Sequence, residues 1–302
     1  MNAESLPEGR LEEHGKGAPL VSHLPMDALV KYYDGKTRAI LHRYGPGPRV
    51  HYHTGLIDEP PCPGLPSLEY RKQLVASQER MLRYASRAWQ LKEVPFSDVL
   101  DVGCGLGGSA IWIAQEFGAQ VTGVTIAASH LGLIKRFAAE AGVDSLVRPF
   151  LCDALTMPGE SCFDVALAID SSSSFDRGPW FHRLRKLLRT RGRVFIFDCF
   201  LGRPEYEKPF NHHWCARIGS VGEYVSAAHE AGFRLETVED VSSQARHFWT
   251  TTLALMRVEA HEARSSCSEI KSLDESVSVH RLVRRGLDDG GLSHLLLSFV
   301  KA

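Results

Sequence analysis

The sequence has no surplus of charge of either sign and no long apolar run. Its 302 residues carry 35 Lys and Arg against 36 Asp and Glu, a formal net charge of −1. Without a basic field or a run of Lys and Arg, the chain is not expected to bind nucleic acid. No apolar stretch approaches the roughly 20 residues of a transmembrane helix. Residues 1–17 are polar rather than signal-like, so we expect a cytoplasmic protein without a membrane partner.

Cysteine is scarce and has no paired spacing. The seven cysteines are odd in number and scattered, which favours reduced thiols over a disulfide framework or a zinc site. His51 and His53 alternate as two ligands on one face of a strand would, yet no third ligand lies near them in the sequence. We therefore predict no metal site. The hydrophobic content of 44% is enough for one large domain or two small ones.

The chain does contain a dense cluster of glycines. Four occur within six residues, at positions 103, 105, 107 and 108. The apolar stretch 99–102 leads into them as a short buried strand would, and a helix-like run over 109–117 follows and stops at Gly118. Strand, glycine turn and helix form the nucleotide-binding geometry of a doubly wound α/β sheet.

Two ligand classes fit such a turn. The glycines at 103, 105 and 108 satisfy the dinucleotide spacing G-x-G-x-x-G. Asp101 disfavours that interpretation, because a carboxylate just before the first glycine is badly placed beside a pyrophosphate but suits a cationic or amino-acid ligand. The pattern D-x-G-C-G-x-G-G resembles motif I of the class I S-adenosylmethionine (SAM) methyltransferases, whose ligand carries an ammonium and a sulfonium and no phosphate. The resemblance implies SAM as the cofactor.

Further segments extend this resemblance. Residues 123–130 are similar to the G-V/I-T-L-S-x-x-Q pattern of the tocopherol, sarcosine and cyclopropane-fatty-acid methyltransferases, with His130 in place of the Gln. In those enzymes the Thr and Gln serve the ribose side, and the residues after the third strand serve the adenine. The cofactor-binding residues that the resemblance implies are Asp101, Gly103, Gly105, Gly107, Thr125, His130, Asp153, Ala154 and Asp170.

The order of the predicted elements indicates the fold. After the glycine turn, strands are predicted over 120–125, 147–151, 163–170 and 193–198, with an antiparallel edge over 234–241 and 292–300. Helices are predicted between these strands. Arg191-Gly192 is predicted to form a tight turn, and residues 264–278 a loose Ser-rich region. We therefore predict an α/β fold, a doubly wound, mostly parallel, seven-stranded Rossmann-like sheet with ligands at the carboxyl ends of its strands.

The expected organisation has three parts. Residues 1–24 form a mobile N-terminus, and 25–92 a helical cap over the acceptor pocket, as the resemblance implies for elements ahead of motif I. Residues 93–302 form the SAM-binding methyltransferase domain. Insertions are expected at about 201–220, as a lid, and at about 259–285.

Outside the core, the sequence is similar to bacterial geranyl diphosphate C-methyltransferases and related enzymes that methylate prenyl chains. The residues that carry this similarity are His51-Tyr52-His53-x-Gly55, Gly202-Arg203-Pro204, Phe248-Trp249 and the ending 290–297. It implies Asp170, His51 and His53 as catalytic candidates, with His212 and His213 as other possible bases. The substrate-binding residues that it implies are Tyr32, Tyr33, Trp214, Phe248 and Trp249.

The expected activity is methyl transfer from SAM to carbon of a prenyl or terpenoid small molecule, through a carbocation that is then deprotonated. Two alternatives stay open: methylation of nitrogen or oxygen in a natural product, and a non-catalytic SAM-fold protein. The intact acid and glycines of motif I speak against the last of these. The sequence shows no Asp/Asn cluster for a Mg²⁺-diphosphate, so a prenylated acceptor without diphosphate is also open. We expect a homo-oligomer.

Overall fold

Seven strands form one sheet in the computed structural model, which describes residues 26–262 and 267–302. The strands are β1 Asp98–Val102, β2 Gln120–Thr125, β3 Val147–Leu151, β4 Phe163–Ile169, β5 Leu188–Leu201, β6 Phe233–Asp240 and β7 Leu292–Lys301. Their order is β3-β2-β1-β4-β5-β7-β6. The first five run parallel, and β7 is antiparallel to both of its neighbours. The predicted α/β fold with a mostly parallel seven-stranded sheet is confirmed.

Helices connect and cover these strands. In the described residues they are α1 Met26–Tyr44, α2 Ser67–Ala88, α3 Gly108–Phe117, α4 Ala128–Glu140, α5 Arg177–Leu187, α6 Glu207–Trp214, α7 Val221–Glu230, α8 Ser242–Glu262 and α9 Cys267–Asp289. Short 3₁₀ turns lie at Leu91–Glu93, Ser172–Ser174 and Pro204–Tyr206. No helix in these ranges combines the length and apolar character needed to cross a membrane.

The sheet is buried on both faces, because helices cover each side. Neighbouring residues of a strand point to opposite faces, so Val99 and Phe195 join one apolar cluster while Leu100 and Ile196 join the other. A parallel sheet covered in this way needs near-continuous apolar strands. That requirement explains why the strands could be predicted from apolar runs in the sequence.

Several predicted boundaries needed correction. Strand β5 begins at Leu188 and continues through the predicted turn, with Arg191 in a left-handed conformation (φ 61°) inside the strand. The Ser-rich composition of 264–278 is typical of loops, yet α9 is helical from Cys267 onward. Its later part buries His280 and Val283, and this packing outweighs the weak helix propensity of serine. The prediction of a mobile N-terminus falls on residues outside those described.

Candidate active site

The glycine turn between β1 and α3 is left-handed at three positions. Gly103, Gly105 and Gly107 have φ of 75°, 54° and 84°, a region that favours glycine. A Cβ on Gly103 would lie 2.6 Å from the Cβ of Ser171, and a Cβ on Gly107 would lie 3.0 Å from Ile134. Gly103 and Gly107 are therefore required both by their left-handed backbone and by neighbours that leave no space for a side chain.

Asp101 lies beneath this turn and not on the cavity wall. It is buried, and its Oδ2 accepts a hydrogen bond of 2.7 Å from Ser109 Oγ. Burial raises the pKa of Asp101 to about 6, against the opposing effect of the Ser109 and Ala110 hydrogen bonds. Ser109 lines the cavity in its place. Of the cofactor residues expected from the sequence, Asp101 and Gly107 are the two that do not line the cavity.

A cavity of about 1010 Å³ opens at the glycine turn, at the carboxyl ends of the parallel strands. The expected cofactor residues that line it are Gly103, Gly105, Thr125, His130, Asp153, Ala154 and Asp170. The other expected residues that line it are His51, His53, Tyr32, Tyr33, Trp214, Phe248 and Trp249. The fold thus brings together segments from nearly the whole described chain.

The polar groups after β2 and β3 are organised by local hydrogen bonds. Thr125 Oγ1 accepts from the N–H of Ala127 at 3.2 Å. His130 Nε2 lies 3.0 Å from Thr37 Oγ1, which ties α4 to α1. Asp153 Oδ1 accepts from the N–H of Leu155 at 2.9 Å, which leaves its other oxygen for a ligand. These groups suit the hydroxyl and amino groups of a nucleoside.

Asp170 follows β4 and is held from two sides. Its backbone is left-handed (φ 45°). The Thr54 N–H donates to Oδ2 at 2.6 Å and His294 Nε2 donates to Oδ1 at 3.0 Å. Burial by itself would raise the pKa of Asp170, but His294 and Thr54 together outweigh it and lower the pKa. Asp170 is therefore ionised where it lines the cavity.

Asp198, at the end of β5, behaves in the opposite way. Ser172 Oγ and the Ser173 N–H donate to its Oδ2 at 2.6 and 3.0 Å. Burial and the nearby charge of Asp170 raise its pKa to about 6. The two carboxylates, on adjacent strands, therefore have pKa values shifted in opposite directions.

The segment His51–Thr54 passes directly over the glycine turn. A Cβ on Gly108 would lie 2.6 Å from His51 Nδ1, so the absence of a side chain there lets the segment approach. From α2, Gln78 Nε2 donates to the carbonyl oxygen of His53 at 2.8 Å and to that of His51 at 3.3 Å. His51 Nε2 lies 3.0 Å from Glu79 Oε1.

Beyond Asp170 the cavity is lined mainly by aromatic side chains. Trp214 and Trp249 meet edge to face with ring centroids 5.7 Å apart, and His280 lies 5.1 Å from Trp249. Burial lowers the pKa of His280 to about 3 and that of His213 to about 4. These two imidazoles are therefore neutral at physiological pH, and the chamber around them is mainly aromatic, with Lys36 and Arg43 also on the cavity wall. Within the described residues no three His, Cys, Asp or Glu side chains are grouped as metal ligands.

Comparison with known proteins agrees with this geometry. Residues 99–192 match the model of a methyltransferase domain. Geranyl diphosphate 2-C-methyltransferase of Streptomyces lasalocidi is 28% identical over 236 residues, covering 73% of this chain and 78% of the relative. The 27-O-demethylrifamycin SV methyltransferase of Amycolatopsis mediterranei (strain S699) is also 28% identical, over 60% of this chain and 73% of the relative. The chain is a SAM-dependent methyltransferase.

A solved structure shares the whole fold of the enzyme. Geranyl diphosphate C-methyltransferase of Streptomyces coelicolor A3(2), in complex with Mg²⁺, geranyl-S-thiolodiphosphate and S-adenosylhomocysteine, aligns with a TM-score of 0.76 and 17% identity. The alignment covers 94% of this chain and all (100%) of that one. At this identity the likeness shows the fold alone.

The residues of the methyltransferase fit SAM. Gly105 has no atom within 4 Å of the position its Cβ would take, so the turn offers an open cradle. Asp170 is ionised beside the cavity, and a buried carboxylate favours a sulfonium cation over a neutral or anionic ligand. Asp101, placed under the turn, fixes the start of α3 through Ser109.

Three residues that matter in this site were missed in the sequence. His294 on β7 binds Asp170, Gln78 holds the segment over the turn, and His280 closes the aromatic chamber. Two of them carried a signal in the sequence. His294 interrupts an apolar strand, and Gln78 sits on the apolar face of α2 with its side chain fully buried. A polar residue in a buried row has to be paired, but the sequence does not say with what.

Proposed function

We propose that the enzyme methylates a carbon of a prenyl or terpenoid small molecule. The observation that carries the proposal is the aromatic chamber beyond Asp170, which is continuous with the SAM cradle. Aromatic faces stabilise a cation by their quadrupole. Methylation of an alkene produces such a cation, whereas methylation of a hydroxyl does not require aromatic walls.

In this proposal the protein aligns the acceptor and stabilises charge. SAM supplies the methyl group as an activated electrophile. The walls hold the alkene in line with it and exclude water. Asp170, ionised and fixed by Thr54 and His294, lies where positive charge develops and stabilises it electrostatically.

Elements outside the sheet complete the chamber. Tyr32 and Tyr33 of α1 line it, as do Phe210 and Trp214 of α6. We propose that α1 with the segment His51–Thr54 acts as the cap, and that α6 acts as the lid. Both cover the carboxyl edge of the sheet, where the reacting groups meet.

Oxygen or nitrogen methylation is the second candidate, and one contact favours it. The pair of Asp170 and His294, with 3.0 Å between Oδ1 and Nε2, resembles the carboxylate–imidazole arrangement that makes histidine a general base. Such a base would serve a hydroxyl acceptor. The relative that acts on 27-O-demethylrifamycin SV belongs to this chemical class by its name.

Product analysis separates the two candidates. Purified enzyme is incubated with methyl-labelled SAM and, in parallel, geranyl diphosphate, farnesyl diphosphate, a prenylated indole and a simple phenol, each with and without Mg²⁺. Mass spectrometry and NMR then locate the methyl group. We expect label on an olefinic carbon. Label on phenol or amine with none on any olefin would refute the proposal, and turnover of the indole alone would indicate an acceptor without diphosphate.

A further inference from the structure

His53 is a buried imidazole with one nitrogen occupied and the other without a partner. Its Nδ1 donates to the carbonyl oxygen of Thr54 at 2.9 Å, which fixes the neutral tautomer with a lone pair on Nε2. That Nε2 is buried and has no hydrogen-bond partner among the described residues. The ring lines the cavity with 8% of its surface exposed. A buried polar atom left unpaired in an active site requires an explanation.

The position of His53 links it to Asp170. The N–H of Thr54, the next residue, donates to Asp170 at 2.6 Å, and the His53 ring lies 6.5 Å from that of Phe197 on β5. Gln78 fixes the carbonyl oxygen of His53 from below. The imidazole is thus held rigidly, beside the carboxylate that stabilises the cation.

We propose that His53 Nε2 is the base that removes the proton after methyl transfer. This inference rests on the proposed carbon methylation. The alkene electron pair forms the new C–C bond as the methyl group leaves sulfur, and the acceptor becomes a carbocation. A C–H bond next to the cationic carbon then gives its proton to Nε2, and its electron pair closes a new C=C bond. The imidazolium returns the proton to water when the product leaves.

The neighbouring imidazoles are less suited to this step. His51 has Nε2 against Glu79, while its Nδ1 packs on Gly108 of the glycine turn. His294 is committed to Asp170 through Nε2, packs on Phe197 at 4.7 Å and is only 1% exposed. His51 Nδ1 and His294 Nδ1 also have no hydrogen-bond partner among the described residues, but His53 is the most exposed of the three imidazoles, at 8%, and is paired with no carboxylate.

The weak basicity of His53 is compatible with this role. Burial and the neighbouring His51 lower its pKa to about 3, so it is neutral at physiological pH and ready to accept a proton. A base this weak cannot deprotonate a hydroxyl efficiently, because efficiency falls as the pKa of the base falls. A carbocation is a far stronger acid than an alcohol, and any lone pair correctly placed suffices.

The test is the product distribution of His53→Asn. The Asn side chain keeps a donor for the Thr54 carbonyl and removes the Nε2 lone pair. We expect turnover to fall at least tenfold and the remaining product to shift to double-bond isomers and a water-captured alcohol. SAM affinity, measured by calorimetry, should stay within about threefold of the wild type. His294→Asn is the matched comparison, with slower turnover and an unchanged product pattern.

Each outcome bears on the inference. An unchanged product pattern and rate in His53→Asn, with the wild type methylating an olefin, would overturn the role of His53 alone. Label found only on oxygen or nitrogen in the wild type would overturn the proposed function first. If circular dichroism shows that His53→Asn does not fold, the same product analysis is made with His53→Gln.

An independent readout is ¹⁵N NMR of the wild-type enzyme. The His53 ring should remain the Nδ1–H tautomer from pH 8 to 5, and titration near 6.5 would contradict the geometry.

Discussion

At the scale of single residues, the site depends on two carboxylates that the fold treats differently. Asp170 receives an imidazole N–H and a backbone N–H, and it is ionised because these donors favour its charged form. Asp198 has hydroxyl and backbone donors, but its burial and the nearby charge of Asp170 raise its pKa to about 6. Two like charges this close disfavour each other, so Asp198 takes up a proton before Asp170 does as the pH falls.

Replacing Asp170 by Asn should lower turnover much more than it lowers SAM affinity. Asn tolerates the left-handed backbone of position 170, so the fold is expected to survive. Removing one preorganised charge from the proposed cation-forming step should reduce kcat on the order of a hundredfold. Single-turnover kinetics and calorimetry provide the two measurements. Turnover of Asp170→Asn equal to that of the wild type would show that Asp170 takes no part in the reaction.

Replacing Asp101 by Ala should weaken SAM binding, although this side chain does not line the cavity. The change leaves the hydroxyl of Ser109 and the N–H of Ala110 without their acceptor. An unpaired buried donor costs about 1–3 kcal/mol, and we expect the glycine turn to loosen and the SAM affinity to fall by about tenfold or more. Ser109→Ala is the milder companion variant. Unchanged affinity in Asp101→Ala would contradict a positioning role under the turn.

At the scale of elements, the segment between α1 and α2 is held between helix α2 and the glycine turn. Leu56 donates its N–H to the Ser77 carbonyl of α2 at 3.1 Å, and Gln78 secures the two histidines. The segment has no secondary structure of its own. Its shape is therefore imposed by α2 on one side and by the glycine turn on the other.

Gly55→Ala tests this arrangement. A Cβ at position 55 would meet Ser77 Oγ and the backbone of Gln78, and backbone atoms of a helix cannot move aside cheaply. We expect destabilisation of about 1–3 kcal/mol and a larger loss in acceptor turnover than in SAM affinity. Gly132→Ala in α4 is the control, since nothing lies within 4 Å of its Cβ position and alanine favours helix. Denaturant unfolding that gives equal stability for both variants would refute the expected clash.

At the scale of the whole molecule, the sheet order collects the site from distant parts of the chain. The loops after β1, β2, β3, β4 and β5 all end at one edge, where ligands bind in open α/β sheets. The antiparallel β7 then adds His294 beside Asp170, 124 residues away in sequence. Enclosing this edge with α1, α6, α8 and α9 buries histidines, and that burial has a consequence for stability.

His280→Gln should make the fold less sensitive to acid. Burial lowers the pKa of His280 to about 3, against the opposing hydrogen bond to the Ser276 carbonyl. Below pH 6.5 the unfolded chain protonates this histidine and the folded chain does not, so stability is present above 6.5 and is lost as the pH falls. The loss from this one group reaches about 2 kcal/mol at pH 5.

The measurement is the free energy of unfolding at pH 7 and pH 5 in urea. Relative to the wild type, His280→Gln should gain about 2 kcal/mol on going from pH 7 to pH 5. His212→Gln, at an exposed position of α6, should show no such gain. A wild type and a His280→Gln variant with parallel pH profiles would show that His280 titrates normally in the folded state.

The sequence by itself determined the nucleotide-binding core. Its signals are local: four glycines at one turn, apolar strands, and polar residues such as Thr125 and Asp153 directly after them. Parallel strands buried on both faces must be apolar and must end at a common edge, so strand positions and the ligand edge follow from composition and order. Even the expected aromatic residues Tyr32, Trp214 and Trp249 line the cavity.

Only the tertiary structure decided which polar groups meet. The pairing of Asp170 with His294, the support of His53 by Gln78, and the place of Asp101 under the turn depend on contacts between segments far apart in the chain. A hydrogen bond is set by distances of a few tenths of an ångström, whereas a sequence pattern states only that a polar group needs a partner. The charge of Asp170 and the free nitrogen of His53 are therefore properties of the folded chain.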